Sequence, residues 1–199
     1  MGRTDSLASG PRECLLFLTA SKADGREGRP FSARTTDGGR TRKFLGFIGP
    51  EPSGHAIMPP TVRVSATSLV TAIRRKDPPG SWLDARASND DGRSWEFLSA
   101  PEPDNGEGNP PGLLRLGDGR LCLIYGVRAG PFGIRARLSA DRGRTWCDAT
   151  ALRDDGANDV GYVRSVLRAD GRAVAVYYYA DLTGPTRDLA ASIRDPREG

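Results

Sequence analysis

The chain has 199 residues and a net charge of +4, a length that suits one domain with a sizeable core or two small ones. No apolar run approaches the roughly 18 residues of a membrane-spanning helix, and the opening MGRTDSLASGPREC lacks the apolar centre of an export signal. The positive charge is arginine spread evenly among aspartates, which argues against a nucleic-acid footprint; a single histidine and three scattered cysteines argue against a metal site, and no cofactor is expected.

In chain order, residues 1–11 read as a disordered tail. CLLFLTA, PFSARTT and KFLGFIG then predict three strands, being short runs of β-branched and aromatic residues bounded by turn formers. TVRVSATSLVTAIRRK (61–76) predicts a strand, a turn and a strand, followed by WLDARAS as another. LLRLGDGRLCLIYGVR (113–128) does the same around an Asp-Gly turn, and GIRARLS follows it. SVLRADGRAVAVYYYAD (165–181) repeats the arrangement before a last strand, DLAASIR, and a tail at 196–199. No stretch keeps a helical period for long. Cys14 and Cys122 sit inside apolar runs and are expected to be buried free thiols.

One short motif recurs through these strands. SNDDGRSW (88–95) and SADRGRTW (139–146) both fit S-x-D-x-G-x-[S/T]-W, and TTDGGRTR (35–42) is a worn copy with Arg42 in the Trp position. The copies begin at Thr35, Ser88 and Ser139, 53 and then 51 residues apart. One unit is therefore a four-stranded meander of roughly fifty residues, and repeated units of this kind predict a β-propeller, with a β-sandwich as the alternative. Within each motif the Asp carboxylate is expected to accept backbone N–H groups, the Gly to supply positive φ, and the Trp to pack between sheets. All three roles are structural, so Asp37, Asp90 and Asp141 are not read as catalytic.

The motif resembles the Asp box, the BNR repeat of the sialidase superfamily of propeller glycosyl hydrolases. The matching residues are Ser88, Asp90, Gly92, Ser94 and Trp95, and again Ser139, Asp141, Gly143, Thr145 and Trp146. NPPGLLRLGDGRLCLIYGVR and DVGYVRSVLRADGRAVAVYYY extend the resemblance, which covers residues 12–195. It implies an all-β, sialidase-type propeller. About four blades are present where sialidases have six, the first blade lacking its inner strand and the last its outer one. The chain is therefore expected to be the C-terminal part of a longer domain; a compact four-bladed ring is the alternative. The resembling group is often secreted.

In a propeller the turns joining strands one–two and three–four lie on one face, which carries the Asp boxes. The other face carries His55 and Met58, Arg74, Arg75 and Lys76, Asp84, Asn109, Arg128, Asp159, Tyr162 and Arg164, Tyr179 and Asp181. Arginine forks bind carboxylates bidentately. The resemblance implies a tyrosine nucleophile in place of a second carboxylate, and Tyr162 in GYVRS has that place. It further implies Arg75, Arg128 and Arg164 as substrate arginines and Asp159 or Asp84 as an acid/base group. Val163 stands where the resembling group has Pro, and no early Arg-Ile-Pro segment is present. Glu102 and Glu107, in a Pro/Gly-rich loop, are expected to be solvated, and His55 to be a loop residue. The implied activity is removal of a terminal acidic sugar by an exo-glycosidase, weak or absent in this chain, with a carbohydrate as partner and a monomeric state. A non-catalytic glycan-binding propeller and an exo-arabinanase type acting on a neutral sugar are the alternatives.

Overall fold

A computed structural model of the chain describes residues 5–78, 80–182 and 186–196. It is an all-β propeller of four antiparallel sheets. Blade one runs β1 (Asp5–Ala8), β2 (Cys14–Ser21), β3 (Glu27–Thr35) and β4 (Lys43–Phe47). Blade two has an inner strand in two pieces, β5 (His55–Ile57) and β6 (Thr61–Arg63), both pairing with β7 (Leu69–Asp77), followed by β8 (Gly80–Ser88) and β9 (Glu96–Glu102). Blade three is β10 (Gly112–Arg115), β11 (Leu121–Val127), β12 (Gly133–Ser139) and β13 (Thr150–Arg153). Blade four is β14 (Gly156–Leu167), β15 (Ala173–Asp181) and β16 (Arg187–Arg194). Among the described residues, no helix is long and apolar enough to cross a membrane.

The expected N-terminal tail is corrected at residues 5–8, which form an inner strand for blade one. Four residues are too few to show a period, but β1 is fixed from outside itself. It pairs with β2, Leu7 packs into the first apolar cluster, and the Asp5 carboxylate accepts the Thr61 N–H at 2.7 Å. Residues 1–4 and 197–199, the rest of the two expected tails, lie outside the described residues. His55 is likewise in a strand, paired with Lys76, and not in a loop.

Strand alternation sends every second side chain to one face of a blade, and the blades meet through those faces. Leu15, Phe17, Ile48, Leu69 and Ile73 fill the junction of blades one and two. Val70, Leu83, Leu123 and Tyr125 fill that of two and three. Ile124, Ile134, Val160, Tyr177 and Tyr179 fill that of three and four. The described residues hold no corresponding cluster between blades four and one. Phe44 and Phe47 are exposed on blade one, and Val166, Val176, Leu189 and Ile193 on blade four.

The Asp boxes close as their residue types require. Asp90 Oδ1 accepts the backbone N–H of Arg93 and Ser94 at 3.0 and 2.9 Å, and Oδ2 accepts the Ser94 hydroxyl at 2.6 Å. Asp141 repeats this with Arg144 and Thr145, and Asp37 with Thr41. Gly92 has φ +89°, a left-handed conformation that side chains rarely adopt, and lies in van der Waals contact with Ser32 of the neighbouring blade. Each Trp packs backwards. Trp95 of blade two meets Phe17 of blade one edge-on at 6.2 Å, and Trp146 of blade three donates its indole N–H to Ser99 of blade two at 3.1 Å.

Candidate functional site

The rim opposite the Asp boxes is organised by the β9–β10 connection, residues 103–111. Its Asn105 N–H donates to the Ser81 carbonyl (3.1 Å), and its Asn105 carbonyl accepts the Arg128 N–H (3.2 Å). Arg74 donates to the Glu107 carbonyl. One connection thereby ties the β7–β8 end of blade two to the β11 end of blade three. Its last polar residue, fully buried Asn109, reaches blade four: the side-chain amide donates to the Val160 carbonyl and accepts the Tyr162 N–H at 2.8 Å. A side chain at Gly161 would collide with Asn109, and Gly161 has φ +131°, so glycine is required where the two blades are laced together.

Tyr162 follows that glycine with φ +53°, a left-handed conformation that costs a non-glycine residue about 1–2 kcal/mol. The kink interrupts the β14–β15 ladder between Gly161 and Arg164. Met58, with φ +57°, breaks the inner strand of blade two at the corresponding position: it lies three residues before Thr61, as Tyr162 lies three before Ser165, and those partner Thr71 and Ala175. The kink is therefore shared by blades two and four, while blade three has Pro110 at the corresponding position. What is particular to blade four is the side chain it displays, a tyrosine 39% exposed.

Beside Tyr162 lies a compact polar group. The Tyr178 ring sits 5.6 Å from the Tyr162 ring, and its hydroxyl donates to Asp159 at 2.8 Å. Arg128 donates to Asp159 at 2.9 Å, to the Tyr178 hydroxyl and to the Val160 carbonyl. Arg187 donates to the other oxygen of Asp159. Arg187 chiefly, against some burial, and then Tyr178 and Arg128, hold the Asp159 carboxyl below its ordinary range. Burial first and the Asp159 bond second push the Tyr178 phenol up to about 12. At neutral pH this is a phenol beneath an ionised carboxylate shared by two guanidiniums.

The other expected residues form a second group on blade two. Buried Asp84 accepts the Trp82 indole N–H at 2.7 Å and Arg86 at 3.2 Å, with Arg75 at 3.8 Å. Arg75 donates to Asp77 at 2.6 Å and lies over the Trp82 ring. Arg164 is exposed on β14, on the sheet face it shares with Val176. The structure thus brings Tyr162, Asp159 and Arg128 together and gathers Arg75 with Asp84 elsewhere on the rim.

Two expectations are corrected. Glu102 is buried at the end of β9, where it accepts the Tyr125 hydroxyl and Arg137, because the blade three strands close over it. Tyr179 is packed in the blade three–four core, its hydroxyl on Asp155. Sequence reasoning missed Tyr178 and Arg187. Alternation along Tyr177–Tyr178–Tyr179 is the signal for the first, since two of the three face the core. Arg187 gives no signal, because it meets Asp159 across the β15–β16 hairpin. Among the described residues, no group of three or more His, Cys, Asp or Glu side chains is arranged to hold a metal ion.

No protein-family model matches the chain, and no curated protein matches it. Solved structures do. A protein of unknown function from Dyadobacter fermentans is 26% identical over 96% of this chain and 52% of its own, with a TM-score of 0.77. The α-L-arabinofuranosidase Arb93A from Fusarium graminearum is 15% identical over 97% of this chain and 61% of its own, at 0.70. The NanB sialidase from Streptococcus pneumoniae is 16% identical over 94% of this chain and 29% of its own, at 0.68. The chain spans about half the length of the Dyadobacter protein. At these identities the shared property is the fold, and this chain has the blade architecture of the propellers in those glycoside hydrolases.

Proposed function

We propose that the chain carries one side of a glycan site in a propeller glycoside hydrolase acting on a terminal acidic sugar, centred on Tyr162. The observation that carries the reading is the Tyr162 group itself. A partly exposed phenol is held at a fixed kink, with Arg128 and Arg187 sharing the single carboxylate of Asp159. One positive charge is left over beside the tyrosine pair, and it suits a carboxylate-bearing sugar. In this reading Tyr162 is the nucleophile, Arg128 and Arg164 face the sugar carboxylate, and Asp159 orients Arg128 and Tyr178. Asp159 is too firmly ionised to act as the acid. Arg75 and Asp84 serve a more distant part of the same rim. The glycosidase names of the structural neighbours support the class.

Retaining glycosidases of this tyrosine type also need a protonated acid to release the leaving group. The Tyr162 group supplies none, so the 199-residue chain is expected to bind an acidic sugar and turn it over slowly or not at all. Titration with sialic acid by calorimetry, alongside turnover of a fluorogenic sialoside, tests both halves. Binding that is lost in Arg128→Ala supports the reading; absence of binding overturns it. The neutral-sugar reading is favoured by one observation, that Arg75 is already tied to Asp77 and Asp84. It would prevail if an arabinofuranoside bound and the acidic sugar did not.

A further inference from the structure

A polar cavity of about 500 Å³ opens on the candidate-site rim, at the end of blade two. Its floor is one row across three strands: His55 on β5 pairs with Lys76 on β7, which pairs with Ser81 on β8. Side chains paired in this way stand on one face of a sheet. Gly106 and Glu107 of the β9–β10 connection wall the cavity on one side, and Asp77 lies on another. Two bonds hold the connection there. The Asn105 N–H donates to the Ser81 carbonyl at 3.1 Å, and Arg74 donates to the Glu107 carbonyl at 3.2 Å.

The lining is largely uncommitted. Ser81 is 2% exposed, and its hydroxyl has no partner among the described residues. His55 Nε2 is likewise without one. A buried polar group left unpaired is costly, and a ligand that supplies the missing bond recovers that cost. Lys76 and Glu107 are exposed, and neither charged group is paired among the described residues. Asp77 is already engaged, accepting the Gly54 N–H and Arg75. Burial first, then Arg74 and Lys76, depress His55 below its ordinary value, so its imidazole is neutral at pH 7.

This balance of charge selects the class of ligand. A lone anion meets two carboxylates, Asp77 and Glu107. A lone cation meets Lys76 and Arg74. An uncharged polyol meets neither penalty, because its hydroxyls can donate to Glu107, accept from Lys76, and do either with Ser81 and neutral His55. Gly106 ties the cavity to the Tyr162 group. A Cβ at Gly106 would lie 2.5 Å from the Arg128 main chain, and the Arg128 guanidinium bonds Asp159 and Tyr178. The cavity and the tyrosine pair are therefore one arginine side chain apart.

We propose that this cavity is a second sugar subsite, which takes a neutral sugar linked to the terminal one held at Tyr162. Joint occupancy rests on the glycan reading of Tyr162; the affinity of the cavity for a neutral sugar does not.

The test is calorimetric titration of the 199-residue chain with lactose, with sialic acid and with sialyllactose, which joins the two. Lactose is expected to bind saturably, and sialyllactose about tenfold or more tighter than sialic acid. Lys76→Met combined with Glu107→Gln keeps the net charge and alters exposed side chains only. It should abolish lactose binding and return sialyllactose to the affinity of sialic acid, which itself stays as in the native chain. Ser81→Ala removes a hydroxyl that bonds nothing in the fold and should weaken lactose severalfold. Absence of lactose binding overturns the proposal, as does sialyllactose binding no tighter than sialic acid. Binding of sialic acid alone decides the Tyr162 reading, so the two can fail separately. Lactose binding that survives the double variant puts the sugar elsewhere and also overturns the proposal. So does displacement of lactose by a lower concentration of glycine, which would mark an amino-acid site between Lys76 and Glu107.

Discussion

The two rims of the propeller use the same residue for opposite purposes. On one, Asp37, Asp90 and Asp141 hold backbone N–H groups and hydroxyls no more than four residues away. On the other, Asp159 holds Arg128 and Arg187, 31 and 28 residues distant in sequence. A carboxylate spent on its own backbone cannot be released without undoing a turn. A carboxylate spent on flexible side chains can exchange them for a ligand. Proximity in sequence thus separates the scaffolding aspartates from the one at the candidate site.

The largest effect that would sharpen this contrast is on the scaffolding side. Trp146→Ala removes a partly buried indole and its bond to Ser99 and is expected to cost about 2–4 kcal/mol, read from urea denaturation. A loss below about 1 kcal/mol would mean that the box tryptophans do not clamp the blades. Next in size is Asp141→Ala, expected to cost about 1–3 kcal/mol by leaving the turn's N–H groups without their acceptor. Asp159→Ala should cost less than about 1 kcal/mol, as its ion pairs are partly solvated.

Acid gives a third comparison. In Asp90 and Asp141 burial opposes ionisation, but the hydroxyl and N–H bonds outweigh it and set the carboxyls at about 2. In Asp37 the Thr41 hydroxyl leads, with the same result. Each folded value lies below the ordinary 3.8. Their contribution is therefore fully present above about pH 4 and is lost as the pH falls from there through about 2. Melting temperatures across that window should drop steeply in the native chain and less steeply in Asp90→Asn. Equal slopes would show that the boxes do not govern acid stability.

The smallest expected effects belong to the other rim and are spectroscopic. Asp159→Asn should lower the Tyr178 ionisation from about 12, seen as an earlier phenolate absorbance on alkaline titration, with the melting point nearly unchanged. Tyr162→Phe should leave stability within about 0.5 kcal/mol while removing whatever sialoside turnover the chain has.

Much of the fold was legible because its signals are local. The box residues, the Asp-Gly turns and the alternating apolar runs each lie within one hairpin, and the strands appear where those runs stand. β1 was not legible, since DSLA carries no pattern of its own and is held by β2 and by Thr61. The split inner strand of blade two was hidden for a related reason: the Met58 kink and two prolines interrupt its alternation. Of the candidate site, counting strands put Tyr162 and Arg128 on the right rim, and the resemblance to the sialidase motif singled them out. Asp159 could be put on the same face, but its partners Tyr178 and Arg187 could not be placed, because they meet it only after blade four folds. Glu102 shows the converse, a charge in polar sequence that tertiary packing buries against Tyr125 and Arg137.

The hydroxyl that receives each indole comes from the third strand in one junction, as Ser32, and from the fourth in the next, as Ser99. The two serines sit in different columns of the repeat, each facing a residue with no hydroxyl, Gly46 or Ala85. A column-by-column comparison of the blades would score both positions as unconserved. The constant acceptor is in the box itself, since each indole N–H also reaches the carbonyl of the box glycine, Gly92 or Gly143, at 3.2 Å; the neighbouring blade then adds a hydroxyl from whichever strand brings one to the same point in space.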